Sequence, residues 1–248
     1  MRAWRVGRFG EPGEVMKLEE TDDFEPGPGQ VKVAVEAAGL GLPDVFMCRD
    51  SYPLTPPLPF TPSQEAAGTV VAVGEGVDTG LLGSRVLGPT LFQAQRGGLA
   101  DACLMHAAGA FPIPDEMSGV EAAGFFIPYQ TAWIGLVRRA GLTPGDTVLV
   151  LGASGSSGCA ALQLAKAKGA RVIAVAGGPD KSAFCKSMGA DEVIDYRKDD
   201  ISAAARALTE GEGVSVVFDP VGGAPGRAGF EATAFEGRFV IIGYASGE

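Results

Sequence analysis

Two patterns of apolar residues divide this chain. From Thr147 onward, short continuous apolar runs alternate with stretches of helical spacing. The runs are Val148-Leu149-Val150-Leu151, Arg171-Val172-Ile173-Ala174-Val175-Ala176, Glu192-Val193-Ile194-Asp195, Val214-Ser215-Val216-Val217-Phe218-Asp219 and Arg238-Phe239-Val240-Ile241-Ile242-Gly243. Continuous β-branched and aliphatic runs bounded by turns such as Thr143-Pro144-Gly145-Asp146 suit strands buried on both faces of a parallel sheet. Between the first two, Cys159 to Lys168 places small and apolar residues at helical spacing and stops at Gly169. The alternation predicts a doubly wound α/β unit of five strands, where the usual sheet has about six. The sequence ends at Gly243-Tyr244-Ala245-Ser246-Gly247-Glu248, directly after an apolar strand. An uncovered strand edge is a liability that proteins usually blunt, so the expectation is a C-terminally truncated piece of a longer chain.

The N-terminal half has a different texture. Met1 to Val6, Gln30 to Ala38, Gly68 to Val73 and Arg85 to Leu87 read as short strands between Gly/Pro turns, and helical periodicity begins only near Met117. The run Tyr52-Pro53-Leu54-Thr55-Pro56-Pro57-Leu58-Pro59-Phe60-Thr61-Pro62 is extended by its prolines and should be a loop over a cleft or surface. The predicted organisation is a β-rich domain over 1–122 and an α/β domain over 123–248. The longest apolar stretch, Ala122 to Val137, is too short to cross a bilayer and is interrupted by Pro128, Gln130 and Thr131. It is expected to be a buried segment between the domains.

Candidate chemistry concentrates after the first strand of the α/β half, in Gly152-Ala153-Ser154-Gly155-Ser156-Ser157-Gly158. Gly155 and Gly158 allow a tight turn and close backbone approach. A phosphate at the helix start would meet free N–H groups and the positive end of the dipole, with Ser156 and Ser157 able to add hydrogen bonds. An NAD site would want Asp or Glu at the end of the second strand. This chain has Gly177-Gly178 there. Lys181 follows, and Tyr196 comes after the third strand, so one cation and one hydroxyl could receive a 2′-phosphate. The pattern favours NADPH over NADH, with Asp180 beside Lys181 as an opposing charge.

Composition narrows the field. A formal net charge of −10 repels nucleic acid and anionic membranes except at a locally basic pocket, and 46% hydrophobic residues with 37 glycines suit a turn-rich α/β enzyme. No N-terminal charged-then-apolar signal pattern occurs. Cys48, Cys103, Cys159 and Cys185 form no C-x-x-C, which suggests reduced thiols in a cytoplasmic setting.

Several segments in order resemble the medium-chain dehydrogenase/reductases, specifically the zinc-free quinone oxidoreductase branch related to zeta-crystallin. They are Glu36-Ala37-Ala38-Gly39-Leu40-Gly41-Leu42-Pro43-Asp44, Pro62-Ser63-Gln64-Glu65-Ala66-Ala67-Gly68-Thr69-Val70, Gly97-Gly98-Leu99-Ala100 and Tyr129-Gln130-Thr131-Ala132. The loop 153–158, Gly189-Ala190-Asp191 with Tyr196-Arg197, and Phe218-Asp219-Pro220-Val221-Gly222-Gly223 complete the set. The resemblance implies a GroES-like catalytic domain joined to a Rossmann domain, and hydride transfer from NADPH to a quinone or activated alkene. It also implies a homodimeric full-length form, with a sixth strand and the dimer contact beyond residue 248. It points to Tyr52 as a cleft tyrosine and first candidate for proton donor, and to Thr131 and Tyr244 on the nicotinamide side. Gly177 and Gly243, each ending a strand, would let backbone approach the cofactor. Asp44 is read as a helix cap. Relatives commonly carry Asn at Gly41 and Tyr at Phe46, so this cleft is less polar; they also carry Gly-Val at Ser156-Ser157, where the serine hydroxyls add hydrogen-bonding groups.

Many superfamily members hold catalytic zinc, but where they read Gly-His-Glu this chain has Ser63-Gln64-Glu65. Cys103 and His106 form C-x-x-H without a second ligand pair, and an open zinc site needs about three protein ligands. The pair reads as a strand-end histidine near a buried cysteine, and no metal is expected. Three function classes follow: an NADPH-dependent oxidoreductase acting on quinones, with an enone or enoyl-thioester reductase as near alternative; a non-catalytic NADPH-binding protein; and a hydrolase. For the last, Gly152-x-Ser154-x-Ser156 misses the final glycine of a nucleophile elbow.

Overall fold

A computed structural model describes residues 1–248. They divide into two units, Met1–Ile127 and Pro128–Glu248.

The first unit is built on antiparallel strands. β1 (Arg2–Val6) pairs with β2 (Met16–Glu20), and the short helix α1 (Pro12–Val15) lies between them in sequence. The main sheet contains β3 (Gln30–Gly39), β4 (Glu65–Val73), β5 (Arg85–Pro89), β6 (Ala102–His106) and β7 (Phe111–Pro112), in the order β6-β3-β4-β5-β7. Alternation along β3 sends Val31 and Val33 into a core with Ala66, Val70, Val86, Cys103 and Met105. A second core joins Val6, Val15, Met47, Cys48 and Phe60 under the helix α2 (Leu42–Cys48).

The second unit is a parallel sheet of β8 (Thr147–Val150), β9 (Arg171–Ala176), β10 (Glu192–Asp195), β11 (Val214–Asp219) and β12 (Thr233–Ile241), ordered β10-β9-β8-β11-β12. The helices α5 (Ser156–Ala167), α6 (Pro179–Ser187), α7 (Ile201–Ala207) and α8 (Gly223–Glu231) connect the strands. Both faces are covered, as the continuous apolar runs require. Val148, Val150, Val172 and Ala174 pack with Ala161, Leu162 and Ala165 of α5, while Leu149, Leu151, Ile173 and Val175 pack with Ile201 and Ala205 of α7. The α/β class and the β-rich first unit agree with the expectation.

Several details correct it. β2 and β6 were not expected, and β4 begins at Glu65 rather than at Gly68. β12 begins at Thr233 rather than Arg238; its register shifts against β11, and Glu236 takes φ 59° within the irregularity. The stretch expected to be buried between the domains is instead amphipathic. It forms α3 (Gly119–Ala123), α4 (Phe126–Ala132) and a π-helical turn, Trp133–Arg139. Ala122, Ala123, Ala132 and Leu136 are buried, while Phe125, Trp133 and Ile134 stand exposed. The reason is one-sided packing: Gly135 lies so near Phe218 and Ile242 that a Cβ would come within 3.0 and 2.8 Å of them. No helix is long and apolar enough to cross a membrane.

Candidate functional site

Parallel strands place all their C-terminal ends on one edge of the sheet, and strand order reverses at β8, where β9 and β11 leave on opposite sides. That crevice is where open α/β sheets bind ligands. The loop after β8 threads into it: Leu151 N–H donates to the Phe218 carbonyl (3.0 Å) on one side and Ala153 N–H to the Val175 carbonyl (3.1 Å) on the other. Gly155 N–H closes the turn on the Gly152 carbonyl at 2.9 Å, and Gly155 is the N-cap of α5 with extended backbone. Gly155 and Ser156 are exposed, Ser157 is half-buried, and the first-turn N–H groups face outward from a helix of 12 residues. Gly158 is buried, and a Cβ there would overlap the Gly152 carbonyl. Only glycine lets α5 start this close to β8.

The end of β9 gathers a second cluster. A Cβ on Gly177 would lie 2.7 Å from the hydroxyl oxygen of Tyr196, and one on Gly178 would lie 3.0 Å from Nη1 of Arg197. Gly178 takes φ 88° and caps α6, so Lys181 projects from the first turn of that helix, exposed. Asp195 is turned into the backbone: its Oδ1 accepts the N–H groups of Gly178 (2.9 Å) and Arg197 (3.1 Å). Those bonds, the Gly178 one first, hold its carboxyl below the usual range. Gly177, Tyr196 and Arg197 are thus one surface, with Lys181 on the adjoining helix. Arg197 was not assigned from the sequence; the signal was the Tyr196-Arg197 pair facing Gly177-Gly178.

Gly243 follows β12 on the same sheet edge, its N–H 3.3 Å from the carbonyl of Asp219. Asp219 is buried and accepts the N–H groups of Val221 (2.8 Å) and Gly222 (2.9 Å), shaping the turn after β11. Tyr244 is exposed and, with Gly243, Gly222, Arg227 and Phe230, lines an open groove of about 780 Å³ along β12 and α8. Thr131 lies half-buried in α4.

In the first unit, Tyr52 follows α2 and packs against the core of Val6, Met47 and Phe60. Its carbonyl accepts the Thr55 hydroxyl at 2.7 Å. Asp44 is buried and caps α2 from inside its first turn: Oδ2 accepts Gly41 N–H (2.8 Å) and Oδ1 accepts Ser63 N–H (2.7 Å). Burial raises its carboxyl despite those N–H groups. Ser63 is fully buried with φ 82°, and its hydroxyl faces the carbonyls of Gly39 (2.8 Å) and Glu65 (2.7 Å). Glu65 Oε2 accepts Ile127 N–H at 2.8 Å. Desolvation, followed by repulsion from Asp44, pushes the Glu65 carboxyl up to about 7.

Zinc does not fit this donor set. Cys103 and His106 stand three apart on β6, and odd spacing on a strand sends side chains to opposite faces. Cys103 is in the core and burial pushes its thiol up to about 12, whereas His106 is exposed. No group of three His, Cys, Asp or Glu side chains could hold a metal ion.

Residues 27–133 match the model of the alcohol dehydrogenase GroES-like domain and residues 158–248 that of the zinc-binding dehydrogenases. The chain is 36% identical over 249 residues to a quinone oxidoreductase-like protein 2 homolog of Nematostella vectensis, covering all of this chain and 67% of that one. It is 36% identical over 235 residues to a mycocerosic acid synthase-like polyketide synthase of Mycolicibacterium smegmatis, covering 94% of this chain and 11% of that one. The Escherichia coli quinone oxidoreductase solved with NADPH superposes with a TM-score of 0.89 at 30% identity, over 99% of this chain and 74% of that one.

Proposed function

The chain belongs to the medium-chain dehydrogenase/reductase superfamily, among its quinone oxidoreductase-like members, and from that premise we propose that it is an oxidoreductase that uses NADPH to reduce a quinone without zinc. The observation that carries the cofactor assignment is the end of β9. Two glycines stand where an acid would bind a bare ribose, beneath a tyrosine and an arginine that fit a phosphate. The E. coli relative solved with NADPH supports the same choice.

Each candidate residue then has a definite task. The first-turn N–H groups of α5 hold the pyrophosphate, with Ser156 and Ser157 beside them and Gly155 and Gly158 giving room. Lys181, Tyr196 and Arg197 take the 2′-phosphate, over Gly177. Thr131, Gly243 and Tyr244 serve the nicotinamide side. Bound NADPH supplies the hydride. On the first unit, Tyr52 is the hydroxyl proposed to deliver the proton that follows. The absence of a zinc donor set leaves orientation and water exclusion as the main levers on rate.

A second reading, reduction of an enone or enoyl thioester, is favoured by the match to polyketide synthase chains over most of this sequence. NADPH oxidation with matched panels of quinones and enoyl thioesters, repeated with a zinc chelator, separates the two. Quinone-dependent turnover that survives the chelator is the expected result. Turnover with thioesters alone replaces the first reading by the second. Tight NADPH binding without turnover of either panel points to a non-catalytic binding protein.

A further inference from the structure

Glu65 opens β4, in the middle strand of the first unit's sheet, and is only 8% exposed. Its carboxylate reaches 62 residues along the chain to the N–H groups of Ile127, at 2.8 Å, and Phe126. These two residues start α4, the helix within which the chain passes from the first unit to the second. Thr131 lies on that helix and Trp133 follows it directly. The site is fitted to the carboxylate. A Cβ on Gly39 would lie 2.9 Å from Glu65 Oε1, and the Ser63 hydroxyl bonds the Glu65 carbonyl at 2.7 Å. No cation pairs with it. The charged group acting on it is Asp44 of α2, of the same sign and occupied with Gly41 and Ser63; β3 contributes Gly39 and α3 the Ala123 carbonyl beside it.

We propose that Glu65 is a positioning residue: as a carboxylate it fastens the first turn of α4 to β4 and so fixes Thr131, and on protonation it loosens that hold. A hydrogen bond accepted by a charged oxygen is about twice as strong as one accepted by a neutral oxygen. Burial brings the exchange between the two forms up to about 7, so that both are populated near neutrality. The hydrogen-bond change stands on the first unit alone, whereas its effect on turnover rests on the functional reading above.

The test is a pH titration of 15N-labelled protein across neutrality, read at the amides of Phe126 and Ile127 and at the indole of Trp133, in parallel with kcat and KM for NADPH. The amide protons should move downfield as pH rises through about 7, with a step in kcat at the same midpoint. Glu65→Gln should abolish both steps. His106→Gln, which removes the only histidine, should leave them in place. Amides that stay flat in the unsubstituted protein, or that titrate equally in Glu65→Gln, overturn the proposal. So does a shared amide titration in an active enzyme whose kcat shows no step. Amides that titrate as expected in a protein unable to oxidise NADPH support the hydrogen-bond switch and refute the oxidoreductase reading instead.

Discussion

The phenol of Tyr196 rests on Gly177, so near that a Cβ added to the glycine would lie 2.7 Å from the hydroxyl oxygen. The tyrosine directly follows β10 and the glycine directly follows its neighbour β9, and the absence of a side chain at 177 is what permits the close approach. Gly177→Ala is therefore expected to displace Tyr196. If this surface receives the 2′-phosphate, NADPH affinity falls by about tenfold, or roughly 1.4 kcal/mol, while NADH affinity changes little. Calorimetric titration with both nucleotides checks it, and an equal loss for both would show that the ring serves the fold and not the phosphate.

Arg197, next to that ring in sequence, and Lys181, on the adjoining helix α6, carry the positive charge of the proposed phosphate site. Both are exposed, so each contact is screened and worth about 1 kcal/mol at moderate salt. Arg197→Ala should lower the NADPH-over-NADH preference severalfold, Lys181→Ala should do likewise, and the preference should shrink as salt is added. A preference unchanged in the double variant would move the phosphate elsewhere.

Ser63 holds a left-handed backbone, φ 82°, in full burial. Such strain costs a non-glycine residue about 1–2 kcal/mol, and one buried hydroxyl hydrogen bond returns about 1 kcal/mol. Ser63→Ala keeps the strain and loses the bond, so it should destabilise by about 1–3 kcal/mol. Ser63→Gly loses the bond but relieves the strain and should stay within about 1 kcal/mol of the parent. Denaturant midpoints in that order confirm the argument; an alanine variant as stable as the glycine one would refute it.

Glu65 makes stability depend on pH in an unusual direction. Its carboxyl has an ordinary value of 4.5 and stands near 7 in the folded chain, so the folded state holds the proton more tightly. This contribution to stability is fully present below about pH 4.5 and is lost as pH rises to about 7, an order of 3 kcal/mol. Glu65→Gln, lacking the buried charge, should melt higher than the parent at about pH 8 and lose less stability between about pH 5 and pH 8. Parallel melting curves for the two proteins across that interval would mean that the carboxyl titrates in its ordinary range.

The second unit was legible in the sequence because strands covered on both faces leave unbroken apolar runs. β9, β10 and β11 occupy the residues their runs predict. The first unit was less so. β2, with Lys17, Leu18, Glu19 and Glu20 all exposed, presents no alternating face, and Glu65 reads as a break although it is buried. The site divided the same way. The loop from Gly155 to Gly158 is local, so its glycines and helix start stand together in the sequence. Arg197 approaches Gly178 only because the turn after β10 folds back on β9, and Glu65 meets Ile127 across 62 residues. Contacts of that range leave no periodicity to read.

The cysteines carry a consequence for durability. Burial raises all four thiols above their ordinary range, Cys103 farthest, and Cys48, Cys103 and Cys185 are enclosed. Nucleophilic attack by cysteine requires the thiolate, and thiolates are arylated by quinones and alkylated by activated alkenes. Under the proposed activity the protein would meet such electrophiles turnover after turnover and would need to be a poor target for them. Here the protection lies in the packing itself, with half-buried Cys159, in the first turn of α5, as the position where covalent damage would first register.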